Sequence, residues 1–598
     1  MCGIVSIFAY DSRAQPVNRQ ELLRIRDRMK ARGPDGCGDW YSPDGRVAFG
    51  HRRLAIIDLS ASGAQPMKNE DGSLVVTFNG EIYNYRELRK GLEEKGYRFY
   101  SNSDTEVLLH LYAAKGAEMV HDLRGMYAFA IWDDRKKGLF LARDPFGIKP
   151  LYYADDGNTF RAASQVKALL AGGSVDTSPQ PAGHVGFFLW GNVPEPFTLY
   201  RGIKSLPAGT ALWVDQGGGK TFTSFCSIHE ELVKSSSNPY SISQSEMRLQ
   251  LREALLDSVR QHLVADVPVG VFLSSGLDST TLVALSSELV SDQLHTVTLG
   301  FREYLGTCND EVPLAELVAS KYGTKHSTIC VEKQDFHADL ELLLDAMDQP
   351  SIDGVNSYFV SKAAVAANLK VAISGLGGDE LFGSYPSFKQ IPQLVKNVLP
   401  FACIPGLGKG FRFVSAPLLK HLTSHKYAGV LEYGGSYSGA YLLRRGMFMP
   451  WELCGLLDDE IVKEGWRELK TLHWLEQNIE GISSSHLKIS ALEMEWYMRN
   501  QLLRDTDWAS MAHSLEIRVP LVDLDVLRTV LPMFCAAVPP GKQDMALTPE
   551  NPLPEEVLNR GKSGFSVPVR DWLLDKEPCY ALRSVRGWAT KVYGELTK

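Results

Sequence analysis

The stretch Leu273-Ser274-Ser275-Gly276-Leu277-Asp278-Ser279 follows a short apolar run, Val267 to Phe272, interrupted by Pro268. After it, Ser279 to Val290 carries Thr280, Leu282, Val283, Ala284 and Leu285 at spacings suited to a packed helix. Strand, small-residue loop and helix in that order aim backbone N–H groups at an anion such as a phosphate. Gly276 lets the backbone approach closely, and Asp278 can hold a magnesium ion against the bound charge. No Gly-Lys-Ser/Thr ending follows, so this is not a Walker loop. Taken alone, the string also fits an ordinary turn before a helix.

Outward from this loop the chain alternates. Ser245 to Arg260 reads as a helix with Leu249, Leu251, Ala254, Leu255 and Val259 facing a core. Strands are expected at Leu294 to Phe301, Lys325 to Val331 and Val371 to Ser374. This βα alternation predicts a parallel sheet with its ligand loops at the strand ends. The last strand runs into Ser374-Gly375-Leu376-Gly377-Gly378-Asp379-Glu380-Leu381-Phe382-Gly383, whose glycines miss the dinucleotide spacing. Residues 385–485 carry no interpretable motif and read as a helical, loop-rich insertion. Ala491 to Met511 is a long helical pattern, followed by His513, Glu516 and Arg518. A polar network fixing helices against the sheet accounts for those three as well as catalysis does.

At 598 residues the chain needs two or more cores. A net charge of −8 gives no basic footprint, so no nucleic acid partner is expected. The best candidate for a membrane span, Ile391 to Phe413, is broken by Lys396, Pro400, Pro405 and Lys409, so no membrane partner is expected either. Nine scattered cysteines suggest reduced thiols, and the N-terminus lacks a signal peptide's pattern; a cytoplasmic location is expected.

The first two hundred residues carry different chemistry. Removal of Met1 would leave Cys2 with a free α-amine, placing nucleophile and base in one residue. Gly3 to Phe8 is an apolar, β-rich run that would hold this terminus in a sheet. Then come Arg32-Gly33-Pro34-Asp35, Gly50-His51-Arg52-Arg53-Leu54, Asn79-Gly80-Glu81-Ile82-Tyr83-Asn84 and Ser103-Asp104. Each has a turn or loop reading, yet together they supply what a zwitterionic amide needs. A guanidinium holds an α-carboxylate, carboxylates hold an α-ammonium, and Asn with a backbone N–H steadies an oxyanion.

These strings, with Gly125-Met126-Tyr127-Ala128-Phe129 and Arg143-Asp144-Pro145-Phe146-Gly147, closely resemble the class II glutamine amidotransferase domain, an N-terminal-nucleophile hydrolase. The resemblance implies an αββα sandwich of two antiparallel sheets between helices. It also implies Cys2 as the nucleophile that frees ammonia from glutamine, Asn79 and Gly80 as the oxyanion hole, and Arg53, Asn79, Glu81 and Asp104 as the glutamine grip. The Leu273–Ser279 loop resembles that of the ATP-pyrophosphatases, with Ser275 where the pattern's second glycine usually stands. The Ser374–Gly383 loop and Asn559-Arg560-Gly561-Lys562-Ser563-Gly564-Phe565-Ser566-Val567-Pro568 resemble the asparagine synthetase family. By that resemblance Leu273, Ser274, Ser275, Gly276, Asp278, Ser279, Leu299, Ser374 and Gly375 contact ATP. Asp278 and Asp379 share Mg²⁺, and Lys562 neutralises the departing pyrophosphate.

The whole chain thus reads as a multidomain α/β protein. A glutaminase domain over 1–215 and a linker over 216–245 precede an ATP-pyrophosphatase-type domain over 246–598, with a parallel sheet and helical additions. The family resemblance implies glutamine, Mg-ATP and a carboxylate acceptor as partners, and allows a homodimer. One departure stands out: Leu376 occupies a position where makers of free asparagine carry a carboxylate. Glu380 or Asp348 could substitute for it, or the acceptor could be another carboxylate, such as a sugar uronate or a biosynthetic intermediate.

Overall fold

The computed structural model describes residues 1–236, 241–290, 292–422, 424–561, 568, 572 and 585–597. Two antiparallel sheets of six strands each form the first part. In the first, Gly3–Phe8 lies between Val47–Arg53 and Phe160–Ala163, with Gly36–Tyr41 and the pair Tyr152–Asp155 and Lys204–Ser205 outside them. In the second, Gly125–Asp133 lies between Leu74–Ile82, which the short Met67–Lys68 flanks, and Gly138–Arg143, beyond which come Thr210–Val214 and Lys220–Ser224. Ile4, Phe8 and Phe49 from one sheet pack on Val75, Ala128 and Leu141 from the other. Helices Arg19–Arg28 and Val166–Gly172 cover the outer face of the first sheet. Asp104–Lys115 covers that of the second. The result is helix, sheet, sheet, helix, in which the inner strands bury side chains on both faces while the edge strand Lys220–Ser224 is exposed. The second sheet runs through Ser224 and a helix spans Ile228–Ser236, so the stretch expected as a plain connection carries regular structure.

The second part is built on a five-stranded parallel sheet in the order Lys325–Val331, His295–Phe301, Val269–Phe272, Val371–Ile373, Glu516–Arg518. Its first strand in sequence is central, and later strands are added first on one side and then on the other. The strand order therefore reverses between Val269–Phe272 and Val371–Ile373, and a crevice opens there at the strands' carboxyl ends. Helix Gln244–His262 buries Met247, Leu251, Leu255 and Val259, the last three in the large core shared with this sheet. Leu249, expected to face the core, is 56% exposed, because it falls off that stripe. The described residues between 385 and 485 are mostly helical, and Ser485–Leu492 continues through the wide-turn helix Glu493–Leu503 into Arg504–Met511.

Candidate active sites

The first candidate site begins at the amino end of Gly3–Phe8, whose two-sided pairing fixes Cys2 in a buried position. The Cys2 nitrogen donates to Asn79 Oδ1 at 2.9 Å, and Arg32 Nε donates to the Cys2 carbonyl at 3.0 Å. With Met1 in place that nitrogen is a peptide N–H; its hydrogen bond already fixes where a liberated α-amine would lie. Asn79 and Gly80 stand on the strand Leu74–Ile82, and Gly80 has φ +151°. A Cβ at Gly80 would meet the Met126 carbonyl oxygen at 2.0 Å, so the position requires glycine. Asp104, the first residue of its helix, accepts from the Ile82 N–H at 3.0 Å. Arg53 donates to the carbonyls of Ser60 (2.9 Å), Ile57 and Asp58, so its guanidinium pins the loop after its own strand. The structure thus brings Cys2, Asn79, Gly80, Glu81 and Asp104 together, with Arg53 at the edge holding that loop.

Burial dominates the electrostatics here. It pushes the Cys2 thiol up, against the opposing pull of the Met1 ammonium. It raises Asp104 to about 6, and it lifts Glu81 well above the carboxylate range with help from the charge on Glu516. Carboxyls that are reluctant to ionise alone welcome a cation, which is the environment an α-ammonium would complete.

Part of this site comes from the other half of the chain. Glu516 Oε2 lies 3.4 Å from the Met1 ammonium, and Arg518 Nη2 lies 3.5 Å from Glu81 Oε2. Asp507 closes a buried ion pair with Arg32 at 2.6 Å. Arg518 binds Glu516 at 2.7 Å, which outweighs burial and holds Glu516 below its ordinary range. The Arg518 carbonyl in turn accepts from the Ser374 N–H at 2.9 Å, on the loop that opens the second site.

That second site is a pocket of about 720 Å³ at the reversal of the parallel sheet. All the residues expected to meet the nucleotide line it: Leu273 to Gly276, Asp278, Ser279, Leu299, Ser374 and Gly375, with Asp379 beside them. Ser279 Oγ receives the Ser274 N–H at 3.2 Å and lies 2.8 Å from Ser274 Oγ, which curls the first loop onto the start of helix Leu277–Leu289. The two loops press together. A Cβ at Gly375 would meet Asp278 Cβ at 2.9 Å. Asp278 and Asp379 converge on the Lys542 ammonium, which lies 2.5 Å from Asp278 and also pairs with Asp379. Burial lowers the Lys542 pKa, but the two carboxylates outweigh it and the group is held above its usual value.

Away from the loops the pocket wall is acidic. Glu380 receives the Tyr385 hydroxyl at 2.7 Å, and burial with the nearby Asp379 charge pushes it up to about 7. Asp505, raised to about 7 by burial and by Asp353, accepts from Ser351 Oγ at 2.6 Å and Trp508 Nε1 at 2.8 Å. Leu376 lines the same wall. Asp348 does not substitute there. It accepts from the N–H groups of Val166 and Lys167 at 2.8 and 2.9 Å, at the start of a helix on the first sheet. Lys562 lies outside the described residues.

Comparison with known proteins bears on both sites. A family described as a glutamine amidotransferase domain matches residues 1–225, and one described as asparagine synthase matches residues 250–586. Glutamine-hydrolyzing asparagine synthetase 1 of Bacillus subtilis strain 168 is 34% identical over 96% of this chain and 88% of its own length. The chain belongs to the glutamine-hydrolysing asparagine synthetase family. A putative asparagine synthetase of Mycobacterium bovis is 32% identical over 96% of this chain and 88% of its own. Asparagine synthetase B of Escherichia coli K12 is 33% identical over 66% of each chain. Membership makes the protein an ATP-dependent ligase with glutamine as nitrogen donor.

Two parts of this synthetase's sites escape sequence reasoning. Lys542 sits in Pro540-Gly541-Lys542-Gln543, an unremarkable loop string, and reaches Asp278 across 264 positions. Glu516 and Arg518 read as a structural network, and their reach into the other half has no local signal. The strand Glu516–Arg518 had simply to be placed at the sheet edge that faces Cys2.

Proposed function

We propose that glutamine is hydrolysed at Cys2 and that the ammonia amidates a carboxylate activated by ATP in the 720 Å³ pocket, with aspartate as acceptor and asparagine as product. The observation that carries this reading is the strand Glu516–Arg518. Its side chains face the Cys2 site while its backbone holds Ser374 of the nucleotide pocket, so two chemistries share one wall. At the first site the Cys2 thiol attacks the amide carbon, its proton passing to the α-amine that removal of Met1 exposes. Asn79 and the Gly80 N–H face the developing oxyanion. Glu81 and Asp104 receive the glutamine α-ammonium, and Arg53 its carboxylate.

At the second site the carboxylate needs activation because its oxygen is a poor leaving group at neutral pH. Asp278 and Asp379, two hard oxygen donors converging on one cationic point, fit Mg²⁺ and would hold it there. Bound there, that ion would offset the charge of the phosphates. Lys542 and Lys562 share that task from the protein side. Glu380, raised toward 7, is placed to take a proton as ammonia attacks the acyl-adenylate. Transfer of the ammonia inside the protein, away from bulk water, would keep it unprotonated. Leu376 supports a second reading, in which an acceptor with an apolar or hydroxylated part replaces aspartate.

Purified enzyme given ATP, glutamine and a panel of carboxylic acids tests both readings. AMP and pyrophosphate formed with aspartate are expected. ADP and phosphate would overturn adenylation, and turnover with a uronate but not aspartate would overturn the acceptor.

A further inference from the structure

The longest near-apolar run of the sequence, Ile391 to Phe413, is used by neither site. It forms most of a hairpin between helices Ser387–Ala402 and Leu407–Leu422, inside the insertion. Of the twenty large apolar side chains left exposed among the described residues, eight fall between positions 399 and 427, far more than chance placement would give. Leu399, Phe401 and Ile404 stand half exposed at the turn. On the second helix Phe413 is 84% exposed, with Val414 and Leu418 one turn apart beside it. Such a patch marks an interaction surface on a folded protein.

Charge tells which one. Between Glu380 and Glu432 the sequence holds no Asp or Glu and six Lys or Arg, of which Arg412 is paired with Glu432, in a chain whose net charge is −8. Lys389, Lys396 and Lys409 are exposed around the apolar groups. A second copy docked symmetrically would set this basic face against itself, which like charges oppose. We propose that the hairpin docks the enzyme on an anionic lipid bilayer. Its aromatic turn and outer face enter the boundary between headgroups and acyl chains, and its lysines meet lipid phosphates. The expectation of no membrane partner rested on the length needed to span. No helix among the described residues is long and apolar enough to cross, and an interfacial hairpin needs no such length. The first helix begins two residues after Tyr385, which lines the synthetase pocket, so docking anchors one wall of that pocket to the membrane surface. The inference is independent of which carboxylate is amidated.

Flotation of the full-length enzyme with vesicles decides it. Phosphatidylcholine vesicles are compared with vesicles in which about one lipid in three is phosphatidylglycerol. Binding about tenfold tighter or more to the anionic vesicles is expected, weakening as salt rises. A Phe413→Ser/Val414→Ser variant, and separately Lys396→Glu/Lys409→Glu, should each lose about tenfold while the unfolding temperature and ammonia-dependent synthesis stay unchanged. Wild-type enzyme that fails to float with anionic vesicles at low salt, or floats equally with both kinds, overturns the proposal whatever the variants do. So does a wild-type dimer that Phe413→Ser/Val414→Ser dissociates, which would assign the face to a second copy.

Discussion

Around Cys2 the polar groups are buried and come from both halves of the chain, whereas around Asp278 they face an open volume of about 720 Å³ and come from one half. The first arrangement stores its electrostatics in desolvation. Glu81 and Asp104 are raised mainly because burial strips them of water, and Glu516 stays low because Arg518 is against it. The second stores them in opposition of charge, with Lys542 held between Asp278 and Asp379. The contrast fits the tasks proposed for them. A small zwitterion that must be cut without water leaking in calls for a closed cage, and a polyphosphate that must leave calls for room and counter-charge.

If the two regions are chemically separate, Cys2→Ala should remove glutamine-dependent synthesis by on the order of 10³-fold or more, yet leave synthesis from ammonium chloride within about twofold. Pyrophosphate release with each nitrogen source reads the difference. Equal loss with both would merge the two sites into one.

The reverse separation is carried by Lys542. Replacing it with Met leaves two facing carboxylates without their shared ammonium. Synthesis should fall by about 10²- to 10³-fold with either nitrogen source, the usual consequence of removing one preorganised electrostatic group. Glutamine hydrolysis should stay within about twofold. A matching fall in hydrolysis would mean that the lysine supports the fold rather than the phosphate pocket.

Glu516→Gln probes the place where the comparison blurs. The variant keeps the side-chain shape but loses the charge that binds Arg518 beside the amino terminus. Breaking a buried pair leaves an uncompensated partner, and glutamine kcat/KM should fall by about 10- to 100-fold. Ammonia-dependent synthesis should change less than about threefold. The substitution lies some 300 residues beyond the glutaminase sequence, so a normal glutamine kcat/KM would show that the first half builds its site unaided.

How much of this was legible in the sequence follows from the range of the interactions. The alternation of apolar runs and helical spacings from Ser245 to Ser374 is local, and the parallel sheet follows from it. The two loops expected to meet the nucleotide are also local strings, and strand order then brings Asp278 and Asp379 to one crevice. Leu249 shows the limit of a spacing argument: it keeps company with Leu251 and Leu255 in sequence but points off their stripe. Lys542 and Arg518 are illegible for a further reason. Their partners are set by which strand lies beside which, and a single sequence carries that only through the whole fold. Asp348 shows the same thing from the other side, since an acid near the right motif ended at a helix start on another sheet.

The smallest effect expected concerns Leu376. If Glu380 already supplies the carboxylate that this position lacks, Leu376→Glu should alter aspartate kcat/KM by less than about tenfold. The two side chains line one pocket, so a second acid there would raise Glu380 further through like-charge repulsion. The pH dependence separates the contributions. Glu380 is raised to about 7 in the folded chain, mainly by burial, so the folded state holds its proton more tightly than the unfolded chain does. The sign is therefore the reverse of a salt-bridged carboxylate. Stability from this group is full below the unfolded value, falls as pH rises toward 7, and is lost above it, by up to about 3 kcal/mol. Glu380→Gln keeps an acceptor for the Tyr385 hydroxyl but cannot ionise, so its unfolding temperature relative to wild type should be higher at pH 8 than at pH 5.5. Thermal unfolding at the two pH values checks this. An equal difference at both would place the Glu380 pKa in its ordinary range and remove it as the proton acceptor. A gain of about 10² in aspartate turnover from Leu376→Glu would then mark the native acceptor as something other than aspartate.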